Sequence, residues 1–312
     1  MKCIVALLAA FAAWNPQSTV ETHTYDVNGS PVEGVTTVRS NGSTSQITRN
    51  LNGRTVPVQN IEERVVSDAG GFRIVERTIR RYDPDGNPGP AEHVRVEEQK
   101  HPDGSIRTST IVSQGNINGA FQVTERSTGL SRVTGERTHV ATTVERPTLN
   151  GSMELVERRE QAVVAAADTT SDEETTYRRD SNGRFVEVSR TSRERQTQDG
   201  RVNETVAEYE TANTGEMRIM RRSVARVDPA GSRVVTIYLP DPKGEMALFK
   251  QQQIERKETS SGAAESTMIR VALPGAFTKL GPARKAEETV CTGVCGKKPL
   301  AVAEAHQPTQ TK

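Results

Sequence analysis

The sequence predicts an all-β fold, a repetitive antiparallel meander of about 14–16 long strands in a single twisted or curled sheet. Closure of that sheet into a barrel is left open. Three observations carry the prediction. Glycine turn signals recur from Gly70 to Gly231 at steps of 15 to 18 residues. In the middle of the chain two steps lock into a 32-residue unit, opened by Gly119-Ala120-Phe121, Gly151-Ser152-Met153, Gly183-Arg184-Phe185 and Gly215-Glu216-Met217. Valine, with 33 copies, is the commonest apolar residue and favours strand over helix. A fixed register of this kind means one structural unit copied and stacked.

The turns justify the meander one by one. Asn28-Gly29, Asn41-Gly42, Asn52-Gly53, Asn118-Gly119, Asn150-Gly151 and Asn182-Gly183 are hairpin signals. Asp83-Pro84-Asp85-Gly86, His101-Pro102-Asp103-Gly104 and Asp228-Pro229-Ala230-Gly231 share the order x-Pro-x-Gly. There proline presets φ for a type I turn and glycine takes the left-handed position after it, a hairpin with a bulge. The polar stretch Asp168 to Glu174 occupies a turn position without glycine, and Gly200, Gly244 and Gly262 continue the series.

Between turns the chain is strand-like, as in Phe72 to Ile79, Ile106 to Val112 and Arg233 to Tyr238. Met153 to Asp168 has a composition that also suits a helix, and its alignment with neighbouring repeats assigns it to strand. Within a unit, alternation places Phe121 with Val123, Met153 with Leu155 and Met217 with Ile219 on one face. It puts Thr124, Val156, Val188 and Met220 on the other, each with the arginine two positions later. The repeats are clearest over 118–246, within a β-repeat domain spanning 13–275. The stretch 276–312, rich in Gly, Pro and Lys, reads as a flexible tail.

Lys and Arg number 41 against 40 Asp and Glu, a net charge of +1. A basic excess of the kind that binds nucleic acid is absent, so no nucleic-acid partner is expected. Aromatic residues are only 4%, which implies a thin core. Met1-Lys2 and the apolar run Ile4 to Ala13 have the form of a secretory signal peptide over 1–12, with Ala10-Phe11-Ala12 at the cleavage site. The expected location is therefore secreted or periplasmic, with no transmembrane span after cleavage. Charges on both faces of the strands argue against an outer-membrane barrel. Removal of Cys3 leaves Cys291 and Cys295, whose pairing as a disulfide, persistence as thiols or use for metal stays open.

No nucleophile elbow, phosphate-binding loop or paired-histidine motif occurs, and His23, His93, His101, His139 and His306 are scattered. No catalytic, cofactor or metal residues are assigned, and an enzyme is not expected. Asp83-Pro84-Asp85-Gly86-Asn87 has a partial likeness to calcium loops, although its proline fits a tight turn better.

Thr24-Tyr25-Asp26-Val27-Asn28-Gly29 and Arg81-Tyr82-Asp83-Pro84-Asp85-Gly86-Asn87 resemble the tyrosine-aspartate repeats of RHS-type shell proteins, which build large spiral β-sheets around a cargo. The resemblance covers these two places and implies a β meander. The Tyr-Asp pair is missing from the 32-residue units.

One constellation points to binding. Arg126, Arg158, Arg190 and Arg222 each lie seven positions after the unit glycine. In a meander they form a comb with teeth about 10 Å apart, twice the strand spacing, suited to successive anionic groups of a polymer. The alternative is that each pairs with a carboxylate on the intervening strand, Arg190 with Glu208 for example. The expectation is an exported, non-catalytic structural or binding protein of the cell envelope or surface, with a protein, polysaccharide or lipid partner. The alternative is a carrier holding a lipid or other hydrophobic ligand against Phe121, Val123, Met153, Leu155, Met217 and Ile219.

Overall fold

The structure, a computed structural model, describes residues 18–32, 36–40, 43–116, 118–212, 214–273 and 276–293. The expected signal peptide, Cys3, Cys295 and the end of the expected tail lie outside them. Every regular element among the described residues is a strand. They are β1 (Ser18–Thr24), β2 (Thr36–Ser40), β3 (Thr44–Leu51), β4 (Arg54–Ala69), β5 (Phe72–Arg81), β6 (Glu92–Lys100), β7 (Ile106–Gly115), β8 (Phe121–Thr134), β9 (Arg137–Pro147) and β10 (Met153–Ala165). There follow β11 (Thr169–Arg179), β12 (Phe185–Gln198), β13 (Arg201–Thr211), β14 (Met217–Val227), β15 (Arg233–Pro240), β16 (Met246–Thr259), β17 (Gly262–Leu273), β18 (Ala276–Leu280) and β19 (Arg284–Gly293).

Each strand from β1 to β17 pairs antiparallel with the next. β17 then pairs with β19, and β19 pairs with β1, so that Val20 faces Cys291 on one side and Val38 on the other. The meander is thereby a closed barrel of eighteen strands, with β18 a short hairpin arm on the end of β17. The strand count exceeds the expected range for a physical reason. β2 and β3 are short, and residues 276–293, expected as flexible tail, form β18 and β19 instead. Without β19 the ring would leave two unpaired edges, each a row of unsatisfied backbone groups.

The segment Met153–Ala165 is strand, paired over its length with β9 and β11. Asp168 ends the turn before β11, so β11 begins inside the polar stretch taken for a loop. Both turn chemistries adopt one geometry, the Asn-Gly turns after β7, β9 and β11 and the x-Pro-x-Gly turns after β5, β6 and β14. At 180–184, Asp180 N–H bonds to Arg184 O at 2.8 Å and Gly183 N–H to Asp180 O at 3.0 Å. The Asp180 carboxylate accepts the N–H groups of Asn182 and Arg184. Gly183 has φ +77°, the left-handed position that completes a three-residue loop. Asn52-Gly53 differs: both residues have positive φ, 51° and 75°, as a two-residue type I′ turn requires. The two Tyr-Asp places are structurally equivalent. Tyr25 bridges Pro31 and Tyr82 bridges Pro88, with Asp26 and Asp83 accepting backbone N–H groups inside the loop.

The 32-residue period also encodes a β-bulge. Val112 faces Glu125 while Ser113 faces Val123, so Thr124 is an extra residue. The same insertion occurs at Val156, Val188, Met220 and Phe249, each five positions after its turn glycine. An extra residue re-phases the alternation of side chains. This corrects the face assignment above: Arg126 lies on the same face as Phe121 and Val123, and Arg158, Arg190 and Arg222 follow suit.

Strand pairing divides all side chains between two walls. One wall carries nearly all the buried residues, among them Val20, Val38, Ile61, Val75, Val94, Val96, Val112, Val144, Ile237, Ile254 and Cys291. Val94 and Val144 are 4% and 1% exposed. On the convex side of a single sheet, side chains splay apart and cannot shield a valine so completely. This wall is therefore the inner one. Its apolar clusters join only adjoining strands, Val20 with Val38, Cys291 and Ile47, and Val94 with Val96, Val112 and Ile79. A ring of this many strands is wide enough to enclose a lumen.

Toward β8–β14 and β15–β17 the inner wall turns polar and is ion-paired. Glu125 binds Arg146, Asp172 binds Arg193, and Glu157 receives both Arg159 and Arg178. Burial pushes the Glu157 carboxyl up, but hydrogen bonds from Arg178 and Arg159 outweigh it and hold the group below its ordinary value of 4.5. A depressed folded-state value stabilises the fold above about pH 4.5, the ordinary glutamate range, and that stability is lost as pH falls through the lowered value. Glu157→Gln is therefore expected to flatten the acid limb of the stability profile. Urea midpoints at pH 7 and pH 3.5 check this, and an unchanged difference between the two would refute it.

Candidate functional site on the outer wall

The bulge determines where the arginine comb points. Arg126, Arg158, Arg190 and Arg222 all stand on the outer wall, on β8, β10, β12 and β14. Three of the four face tyrosine rather than a carboxylate: Arg158 opposes Tyr177, Arg190 opposes Tyr209, and Arg222 opposes Tyr238. Arg126 opposes Glu145. The Glu208 expected opposite Arg190 instead faces Thr191, one residue out of phase. Beyond the tyrosines the rows continue to Glu187, Ile219 and Leu248 on the next bulged strand.

The guanidinium groups have distinct surroundings. Arg158 lies 4.4 Å from the centroid of the Phe185 ring, and Arg179 lies 5.5 Å from the same ring. Two cations thus contact one aromatic ring, Arg179 also reaching Glu154 at 2.5 Å. Arg190 is held by Glu187 through two bonds, 2.9 and 3.1 Å, and this pairing raises its pKa against the opposing effect of burial. Arg126 and Arg222 are exposed, and among the described residues neither pairs with a carboxylate. Seven inner-wall arginines, at 77, 146, 159, 178, 193, 233 and 256, meet carboxylates, as do Arg64 and Arg95 on the outer wall. The Tyr177 phenol is pushed up, first by burial and then by the nearby Glu160 and Glu187. It stays a neutral hydroxyl at physiological pH.

The apolar residues considered as a carrier lining, Phe121, Val123, Met153, Leu155, Met217 and Ile219, also belong to the outer wall. They form a belt toward the turn rim, with Phe121 54% exposed. The tyrosines escaped the sequence reading although Tyr177 and Tyr209 repeat at 32 residues. The reversal after β12 is centred between Asp199 and Gly200, half a residue before the glycine, which sets Tyr209 and not Glu208 opposite Arg190. Among the described residues no group of His, Cys, Asp and Glu gathers as metal ligands. The Asp83 carboxylate is engaged by its own turn, accepting from Asp85, from the Asn87 backbone and from the Asn87 side chain. Cys291 is disulfide-bonded, to a partner outside the described residues.

The fold and its outer wall define a class, the large closed antiparallel β-barrel of repeated hairpins. Comparison with protein-family models, curated proteins and solved structures gives no match.

Proposed function

We propose that the protein is an exported, non-catalytic binding or structural barrel of the cell envelope or surface, engaging its partner with the outer wall. The observation that supports this is the outer arginine row. Arg158, Arg190 and Arg222 stand opposite tyrosines. Among the described residues Arg190 alone of the four is held by a carboxylate, and Arg126 and Arg222 are exposed where they can meet an external anion. Ring closure pairs both edges of every barrel strand, so apart from the short β18 arm a partner has no strand to extend by β-augmentation and uses a face or a rim. Among the described residues, Arg, Glu and Gln interrupt the apolar side chains of both walls, which does not favour a lipid-facing band.

The test uses the full chain in its host. Recovery of a mature form beginning near Ala13 in the periplasmic or culture fraction is expected. The purified protein should bind an envelope polysaccharide, lipid or protein fraction, and changing Arg126, Arg158, Arg190 and Arg222 together to Gln should weaken binding at least tenfold. Equal binding by wild type and variant, with an unchanged fold by circular dichroism, refutes the outer-wall reading.

A carrier is the second reading, and one observation favours it. The inner wall along β1–β7 is apolar through Val20, Val38, Val75, Val94, Val96 and Val112. A hydrophobic ligand would lie there, not against the outer belt. Native mass spectrometry decides: co-purified lipid supports the carrier, and its consistent absence removes it.

A further inference from the structure

We infer that the outer row is a subsite ladder for an acidic polysaccharide carrying one carboxylate per disaccharide. This rests on the outer-wall reading above and names its ligand class. The repeating rung is an arginine directly opposite a tyrosine: Arg158 with Tyr177, Arg190 with Tyr209, Arg222 with Tyr238. Successive rungs are two strands apart, about 10 Å across the sheet, and step two residues, about 7 Å, along the strands. Tyr177 faces Glu187 while Arg190 faces Thr175, and Tyr209 faces Ile219 while Arg222 faces Ala207. A polymer with one anionic group per disaccharide, laid obliquely across the strands, presents chemically identical points to consecutive rungs.

Each rung supplies the two kinds of contact such a polymer needs. A guanidinium takes a carboxylate through two parallel N–H···O bonds. A tyrosine offers a flat apolar ring to a sugar and a hydroxyl to its oxygens. Phe185 extends the first rung, with the guanidinium groups of Arg158 and Arg179 at 4.4 and 5.5 Å from its ring centroid. Arg190 is pre-oriented by Glu187, which lowers the ordering cost of binding while offsetting part of its charge. Charge complementarity is local to the row, since the chain as a whole carries only +1.

Calorimetric titration of the full chain with a hyaluronan oligosaccharide, in which uronate and neutral sugars alternate, tests the ladder. Neutral dextran and oligothymidylate serve as comparators. Saturable binding of hyaluronan and none of dextran is expected, with a loss of at least tenfold in Arg158→Gln/Arg190→Gln/Arg222→Gln. A similar loss is expected in Tyr177→Ala/Tyr209→Ala/Tyr238→Ala, with retention in the corresponding Tyr→Phe variant. Should the alanine variant fail to fold, the Phe variant and a Tyr177→Ala single change carry the comparison. Indifference to the tyrosine changes overturns the ladder and leaves simple ion exchange. Stronger binding of oligothymidylate than of hyaluronan overturns the glycan assignment. Binding of another envelope fraction through the arginines, with none of hyaluronan, overturns this inference and leaves the broader proposal standing.

Discussion

Glu265→Ala is expected to cost about 3–5 kcal/mol, the loss typical of removing one partner from a buried charge cluster. Glu265 on β17 receives Arg256 from β16 at 3.2 Å and Arg233 from β15 at 3.7 Å. The three side chains are 4%, 7% and 15% exposed, so all are shielded from water. Removing the carboxylate takes away the counter-charge that Arg233 and Arg256 share on the inner wall. The neighbourhood cannot easily relax, because the turn carrying Gly231 packs against the Arg256 stem and the Arg256 N–H bonds to the Ser232 hydroxyl. Replacing all three residues together by Leu or Met is expected to recover most of the loss, since no charge then remains to desolvate. Urea unfolding of the two variants measures both effects. A loss below about 1 kcal/mol for Glu265→Ala would show that water reaches this part of the wall.

Excision of one 32-residue unit is the second large-effect prediction. Deleting 152–183 joins Gly151 to Arg184, so β9 meets β12 through a turn and bulge of the same design. The product is expected to fold as a closed barrel of sixteen strands and unfold cooperatively. The paired groups Glu157, Arg159 and Arg178 leave together, so no charge of that cluster is orphaned. Deleting only 152–167 is expected to abolish folding. An odd number of strands in an antiparallel ring forces one parallel contact, either between β9 and β11, which a tight turn cannot span, or between β19 and β1, which breaks their antiparallel closure. Circular dichroism and limited proteolysis distinguish the outcomes. Equal folding of both deletions would contradict a closed ring.

Much of the architecture was legible because the turns are. Asn118-Gly119, Asn150-Gly151 and Asn182-Gly183 mark reversals through local stereochemistry that no tertiary contact needs to supply. The arginine comb was legible for the same reason, as a repeat of fixed offset from those glycines. Its chemistry was not. The bulges at Thr124, Val156, Val188 and Met220 look in sequence like ordinary strand residues, and each re-phases the side chains after it, so the arginine row shares the face of Phe121. Arg190 meets Tyr209 and not Glu208 because the reversal is centred between Asp199 and Gly200.

The sequence by itself determined the fold class, the hairpin period and the positions of the four arginines. These follow from φ preferences at turns and β-branched residues between them, which act over a few neighbouring residues. Only the tertiary structure decided that the sheet closes and which wall points inward. It alone turned Tyr177, Tyr209 and Tyr238 into partners of the arginine row. Closure depends on Cys291 and its neighbours in β19 meeting Val20 in β1 across nearly the whole length of the chain. A pairing between ends so far apart leaves no local pattern, because both partners look like any other strand until the intervening hairpins bring them together.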